Sequence, residues 1–188
     1  MNKTRWHSVF WLLATLSVPH SLSAAPGKYD DLIKSSANTW MPSVDWRLWR
    51  AQIETESAMR AGATSPAGAM GLAQVMPATF RDISRASGIT GNPYDPEVNL
   101  NAGSWYMARQ RAIFKAPRPE ADKHNLACAS YNAGAGNVIK AQRLAGNPEG
   151  WEPVAAVLPQ VTGHHSTETI NYVKRIRETY RRYILTGL

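Results

Sequence analysis

Glu56-Ser57, followed after seven residues by Ser65-Pro66-Ala67-Gly68-Ala69-Met70-Gly71-Leu72-Ala73-Gln74-Val75-Met76-Pro77-Ala78-Thr79, decides the reading of this chain. Upstream of it, Asp45 is a candidate N-cap, and Trp46, Trp49, Ile53 and Ser57 recur at helical spacing. That pattern predicts an amphipathic helix running to about Met59, with a carboxyl near its end. Residues 60–76 are rich in Gly, Ala, Ser and Pro and read as a loop. Pro77 suits the first turn of a second helix, reaching about Ser87. One acid at a helix end beside a small-residue loop is how a chain builds a groove with a carboxyl at its floor and backbone along its wall.

Further out the pattern stays helical. Residues 28–40 place Tyr29, Leu32 and Ile33 on one side of a weak helix. Asp95-Pro96-Glu97 starts a long one, with Asp95 as N-cap, Pro96 at the first helical position, and an expected apolar side of Val98, Leu100, Trp105 and Ile113. Helices are expected from Pro119 to Tyr131, from the Asn132–Gly136 turn to Gly146, and from Trp151 to Leu158, where Pro159 is read as a stop. The last spans about 166–184, with Ile170, Val173, Ile176 and Tyr180 as its buried stripe. Strand alternation and solenoid-length repeats are absent from the sequence. The fold class is all-α, a single compact helical domain over residues 25–188.

Residues 1–24 read as a cleavable secretory leader. Lys3 and Arg5 form a basic start, Val9 to Val18 an apolar run of about ten residues, and Ser21 to Ala25 a small-residue cleavage region. The run falls short of the ~20 apolar residues a membrane span needs. The mature chain is therefore expected to be exported, periplasmic or extracellular, without a membrane span. Cleavage removes two basic residues and no acid, lowering the formal net charge from +7 to about +5. A basic exported chain suits an acidic polymer such as the cell wall better than nucleic acid. Cys128 is the one cysteine, so no intrachain disulfide forms, and its apolar neighbours predict a buried, inert thiol.

Glu56 is a candidate general acid, the role of a carboxyl that gives a proton to a leaving oxygen. A carboxyl set among apolar walls can hold that proton near neutral pH. Glu54 is the local competitor, two positions away and on a different face. The adjacent His164-His165 pair lacks the i, i+4 spacing of a common zinc motif, and His124 stands alone, so a loop or surface role is expected and no metal or other cofactor. Ala133-Gly134-Ala135-Gly136 lacks the Lys-Ser/Thr of a phosphate loop.

The Glu-Ser pair, the seven-residue gap and Ser-Pro-x-Gly-Ala-x-Gly-Leu-x-Gln-x-x-Pro-x-Thr resemble the catalytic segment of the soluble, Slt-type lytic transglycosylases. Asp95-Pro96-Glu97-Val98-Asn99-Leu100, Ala129-Ser130-Tyr131-Asn132-Ala133-Gly134, and Glu168-Thr169-Ile170-Asn171-Tyr172-Val173 extend the resemblance in order over most of residues 44–176.

The resemblance implies a goose-lysozyme-like fold and a monomer acting on peptidoglycan glycan strands. The bond between N-acetylmuramic acid and N-acetylglucosamine would be cut without water, leaving a 1,6-anhydro sugar. Glu56 would act as acid and then base. Ser65 and Gln74 would hydrogen-bond the sugar, while Met76 and Thr79 line the groove. Tyr131 and Asn132 would position the carboxyl or the N-acetyl group, Glu168 would lie toward the groove, and Tyr172 would orient Glu56.

On the residues alone, bland roles stay open. Ser65 can form a turn with Pro66, Gln74 and Thr79 can cap or solvate the 77–87 helix, and Met76, Tyr131 and Tyr172 can be core. Two departures stand out: Ala73 where the family often has Met, implying a wider groove wall, and Ser130 where Ala is commoner. A muramidase cutting the same bond and a noncatalytic wall-binding protein are the alternative functions. Wall recycling, a secretion or conjugation system, and phage lysis are the settings that fit.

Overall fold

A computed structural model describes residues 27–188. The leader assigned to residues 1–24 lies outside the described residues. Among these, nine helices follow one another: α1 (Asp30–Trp40), α2 (Trp46–Ser57), α3 (Pro77–Ser87), α4 (Pro96–Ile113), α5 (Glu120–Ala133), α6 (Ala135–Leu144), α7 (Trp151–Val157), α8 (Pro159–Thr162) and α9 (His165–Thr186). The only β pairing among them is two isolated bridges, Thr64 with Met70 and Met70 with Val75. The all-α class holds.

The described residues group into two compact units, one formed by 27–108 with 175–188, the other by 109–174. In the first, α1 packs on α2. Trp49 and Ile53 of α2 and Ile33 of α1 are fully buried, as the helical spacing required. Each such side chain contributes on the order of 2 kcal/mol by leaving water. The indole N–H of Trp49 donates to the Ser36 hydroxyl at 3.2 Å, so this aromatic is packed and polar-satisfied together. Trp46 stays half-buried beneath the Lys34 ammonium, 4.5 Å from its ring centroid.

Helix starts follow the local chemistry. The Asp45 carboxylate accepts the Arg47 N–H at 3.0 Å, and Asp95 accepts the N–H groups of Glu97 and Val98 at 3.0 and 3.1 Å. Both satisfy donors that the first helical turn leaves without partners. Pro77 opens α3, where its missing N–H costs nothing.

Gly103 sits where α4 meets α2. A Cβ there would lie 2.5 Å from the Ala73 Cβ and 3.0 Å from the Trp49 ring, so only glycine allows the approach. The buried side of α4 matches expectation at Leu100, which is fully buried, but Ile113 is 38% exposed, Val98 and Trp105 are half-buried, and Ala102 and Met107 fill the interior beside Leu100.

In the second unit, α5, α6, α7 and α8 pack against one another. Most of α5 is buried, Leu126 to Tyr131 included, and Cys128 is buried, as expected, and in no disulfide. Asp122 accepts the Trp151 N–H at 2.8 Å, tying α5 to the start of α7. Pro159, expected as a stop, instead opens α8: a proline that cannot continue one helix is preorganised to begin another. His124 is not a surface residue. It is 1% exposed, and its Nδ1 faces the buried Arg111 guanidinium at 3.2 Å. Burial first, and then the neighbouring Arg111 cation, lower its pKa from 6.5 to about 3, so the ring is neutral.

Candidate active site

Glu56 lies in the last turn of α2, half-buried. The helix ends at once. Ala58 and Met59, neither a glycine, both take left-handed backbone, φ 50° and 59°. Two such residues in succession are held only where the surroundings over-determine them. They turn the chain sharply into the loop that the small residues had predicted.

That loop is closed by its own polar groups. Met70 and Val75 exchange backbone hydrogen bonds at 3.1 Å, and the Gly71 N–H reaches the Ala63 carbonyl at 2.9 Å. The Ser65 hydroxyl accepts the Ala69 N–H at 3.0 Å, so the turn-forming role left open for Ser65 is realised. Gln74 is 5% exposed, with left-handed backbone at φ 46°. Its side-chain N–H groups go to the carbonyls of Gly71 (2.8 Å) and Ala63 (3.2 Å). The amide nitrogen is thus committed to the loop, and its oxygen is the atom the loop does not use. Met76 is the residue before α3, and Thr79 lies in its first turn, both half-buried.

Ala73 is fully buried. Since its Cβ faces Gly103, its small size serves helix packing, and the wider groove wall expected from it does not follow.

Asn99 was legible in the sequence only as part of a helix start. It is fully buried, and its side chain makes three bonds: Oδ1 accepts the Ala73 N–H at 2.7 Å, while the amide donates to the Met70 and Pro93 carbonyls at 2.9 and 2.7 Å. A Cβ on Gly71 would lie 2.5 Å from that amide, so glycine at φ 74° is required there. Asn99 and Gly71 together set the loop's height above α4.

Glu54, the rival carboxyl, is fully engaged. One oxygen takes the Arg182 guanidinium at 2.5 Å. The other accepts the Tyr183 hydroxyl and faces Arg50 at 3.4 Å. Arg50 in turn is paired with Asp30 at 2.7 Å. Burial first, then the bond to Glu54, push the Tyr183 phenol above its ordinary range, so it stays a donor. Glu54 ties α2 to α9, and Glu56 is the candidate acid by its place in the Glu-Ser pair.

In the other unit, Tyr131 and Asn132 close α5, and Gly134 at φ 83° turns the chain into α6. Tyr131 is 8% exposed and Tyr172 1%. Glu168 and Tyr172 stand four residues apart and so share one face of α9. The Thr169 hydroxyl donates to Asn132 Oδ1 at 2.7 Å, which fixes the Asn132 amide and turns its N–H groups to other partners. Thr169 is a second residue that sequence reasoning did not single out; its position three before Tyr172 was the available signal. Ser130 is buried with its hydroxyl bonded to the Leu126 carbonyl at 2.8 Å, so it replaces alanine without an orphaned polar group.

The structure thus gathers Glu56, Ser65, Gln74, Met76 and Thr79 into one unit, and Tyr131, Asn132, Glu168 and Tyr172 into the other. No group of three or more His, Cys, Asp or Glu that could hold a metal occurs among the described residues.

Comparison with known proteins points one way. Residues 34–154 match the family model of the transglycosylase SLT domain. The membrane-bound lytic murein transglycosylase F of Yersinia enterocolitica is 35% identical over 155 residues, covering 71% of this chain and 30% of that protein. The membrane-bound lytic murein transglycosylase C of Pectobacterium atrosepticum is 27% identical, covering 97% and 54%. Among solved structures, an inactive mutant of lytic transglycosylase Slt from Pseudomonas aeruginosa superposes with a TM-score of 0.68 at 25% identity, over 84% of this chain and 24% of that one. The chain spans about a third of the F-type relative's length and about half of the C-type's.

Proposed function

The chain belongs to the transglycosylase SLT domain family, and from that premise we propose that it is a peptidoglycan lytic transglycosylase. It cuts the β-1,4 bond between N-acetylmuramic acid and N-acetylglucosamine without water. The observation that carries the assignment is the match to the SLT domain over residues 34–154, within which Glu56 stands in the Glu-Ser position at the end of α2; the neighbouring Glu54 carboxylate is bound to Arg50, Arg182 and Tyr183.

In this reading Glu56 enters the cycle protonated. It gives its proton to the glycosidic oxygen as the bond to C1 of the muramoyl residue breaks. The positive charge that develops at C1 is met by the carbonyl oxygen of the substrate's own N-acetyl group, so a second enzyme carboxylate is not required. Glu56, now ionised, takes the proton from the 6-hydroxyl as O6 bonds to C1. The acid is restored, and the product is a 1,6-anhydro sugar. Water is neither added nor lost.

Ser65, Gln74, Met76 and Thr79 are assigned to the sugar and its substituents, the free side of Gln74 being its amide oxygen. Asn132, whose Oδ1 is held by Thr169, presents N–H groups suited to an acetamido carbonyl. Tyr131, Glu168 and Tyr172 complete the substrate contacts. The leader expected at residues 1–24 and a wall polymer as substrate support an exported protein, periplasmic or extracellular. No helix among the described residues is long and apolar enough to cross a membrane.

The test is mass spectrometry of muropeptides released from purified peptidoglycan, with Glu56→Gln alongside. Anhydromuropeptides from the wild type and none from the variant are expected. Reducing-end products would make it a muramidase, and wall binding without products a noncatalytic protein.

A further inference from the structure

The last turn of α2 has an electrostatic problem that the helix does not solve by itself. It carries two carboxyl groups, those of Glu54 and Glu56, and no basic residue, at the end where the helix dipole is negative. It also runs directly into the left-handed pair Ala58 and Met59. Helix ends fray, and a charged, strained end frays more readily.

The compensation comes from other helices. Arg182 and Tyr183, near the end of α9, and Arg50, one turn back on α2, converge on the Glu54 carboxylate. The Arg50 guanidinium lies 4.6 Å and that of Arg182 5.1 Å from the Tyr183 ring centroid, so the phenol has two cations against it. Asp30, the first residue of α1, balances Arg50. The backbone carbonyl of Glu54 accepts the Ala58 N–H at 2.9 Å, the bond that closes the turn containing Glu56. Side chain and carbonyl of one residue therefore anchor the turn from both sides.

We propose that Glu54 is a positioning residue for the reaction: clamped by Arg182 and Tyr183, it holds the last turn of α2, and so Glu56, in working geometry. The inference rests on Glu56 being the acid. It makes the end of α9, which the motif segments do not reach, part of the machinery. A misplaced acid lowers the rate of bond cleavage with little effect on how substrate is held.

Tyr183→Phe removes the hydroxyl and keeps the ring against its two cations. Arg182→Gln removes a charge, and Arg182→Lys restores it. Each is made in the full chain and measured well below its melting temperature. The expected result is that amide exchange at Ala58 accelerates about tenfold in the first two variants, with that of Ala102 in α4 unchanged. In the same variants kcat for anhydromuropeptide release falls about three- to tenfold at constant KM, and Arg182→Lys recovers most of it.

Unchanged exchange at Ala58 overturns the clamp. Faster exchange with unchanged kcat overturns its part in catalysis. A wild type that releases no anhydromuropeptides overturns the assignment of Glu56 instead, and the exchange rates then decide by themselves whether the clamp holds the turn.

Discussion

Asn99 on α4 accepts the backbone N–H of Ala73 at 2.7 Å while its amide donates to the carbonyls of Met70 and Pro93. One side chain thereby bonds three backbone groups of the segments that cross α4, the Met70 carbonyl among them accepting the Val75 N–H as well. Asn99→Ala removes all three bonds at a fully buried site. It is expected to destabilise the protein by about 3–5 kcal/mol in urea unfolding. Asn99→Asp keeps the acceptor for Ala73 but turns a carboxylate toward two carbonyls, so it is expected to lose nearly as much. A loss below about 1 kcal/mol for Asn99→Ala would mean that the loop holds its own height.

Gly103→Ala sets two effects against each other. Alanine is favoured over glycine inside a helix by about 1 kcal/mol. The new methyl, however, would lie 2.5 Å from the Ala73 Cβ and 3.0 Å from Trp49, and neither is the far end of a flexible chain. Overpacking of this kind costs about 1–3 kcal/mol or more, and it should win. The substitution is expected to lower the melting temperature, and Ala73→Gly in the same chain is expected to restore part of it. Two additive effects in that double-mutant cycle would show that the contact is not what Gly103 serves.

How much of this was legible depended on whether the signal was local. Asp45, Pro77 and Asp95-Pro96 mark helix starts because capping chemistry acts within three residues, and all three fall where expected. The Glu-Ser pair and its gap fix a helix end and a tight loop for the same reason. Asn99 was not legible as a loop support, since its partners lie six, 26 and 29 residues away. Nor was the fate of Glu54, which is decided by Arg182 and Tyr183 from the far end of the chain. His124 failed similarly: a lone histidine reads as surface until a buried arginine is found facing it. Pro159 shows a local signal with two meanings, as a proline that ends one helix is equally suited to begin the next.

His124 predicts a pH dependence of stability. Its folded pKa is about 3 against an ordinary 6.5. Above pH ~6.5 the ring is neutral in both states and its contribution is constant. Below that, the unfolded chain takes a proton that the folded chain refuses, so stability falls as pH drops through the window between the two values. The slope is at most about 1.4 kcal/mol per pH unit. Between pH 6.5 and 4.5 the wild type is expected to lose roughly 2 kcal/mol, before Asp45, whose pKa lies below 3.8, begins to contribute. His124→Gln keeps an acceptor for Arg111 and cannot titrate, so its stability should be flat over that range. A wild type equally flat from pH 7 to 4.5 would refute a buried neutral ring.

The Thr169 hydroxyl holds Asn132 Oδ1 at 2.7 Å, and Thr169 is 3% exposed. An asparagine at a helix end can turn its amide over at little cost, exchanging donor for acceptor. The threonine hydroxyl opposes this turn. Its proton goes to Oδ1, and the Asn132 N–H groups are left to meet an acetamido carbonyl. Thr169→Val is nearly isosteric but has no donor. It should leave Asn132 Oδ1 without this partner and allow both amide orientations, at a stability cost of about 1 kcal/mol. If Asn132 serves the substrate as proposed, about half to nine-tenths of the molecules would present the wrong edge, and kcat/KM for anhydromuropeptide release should fall about two- to tenfold. Thr169→Ser keeps the hydroxyl and should retain most of the activity. Full activity in Thr169→Val would remove Asn132 from the substrate contacts, whatever became of stability. A loss shared equally by the valine and serine variants would instead point to the packing of the missing or misplaced methyl group.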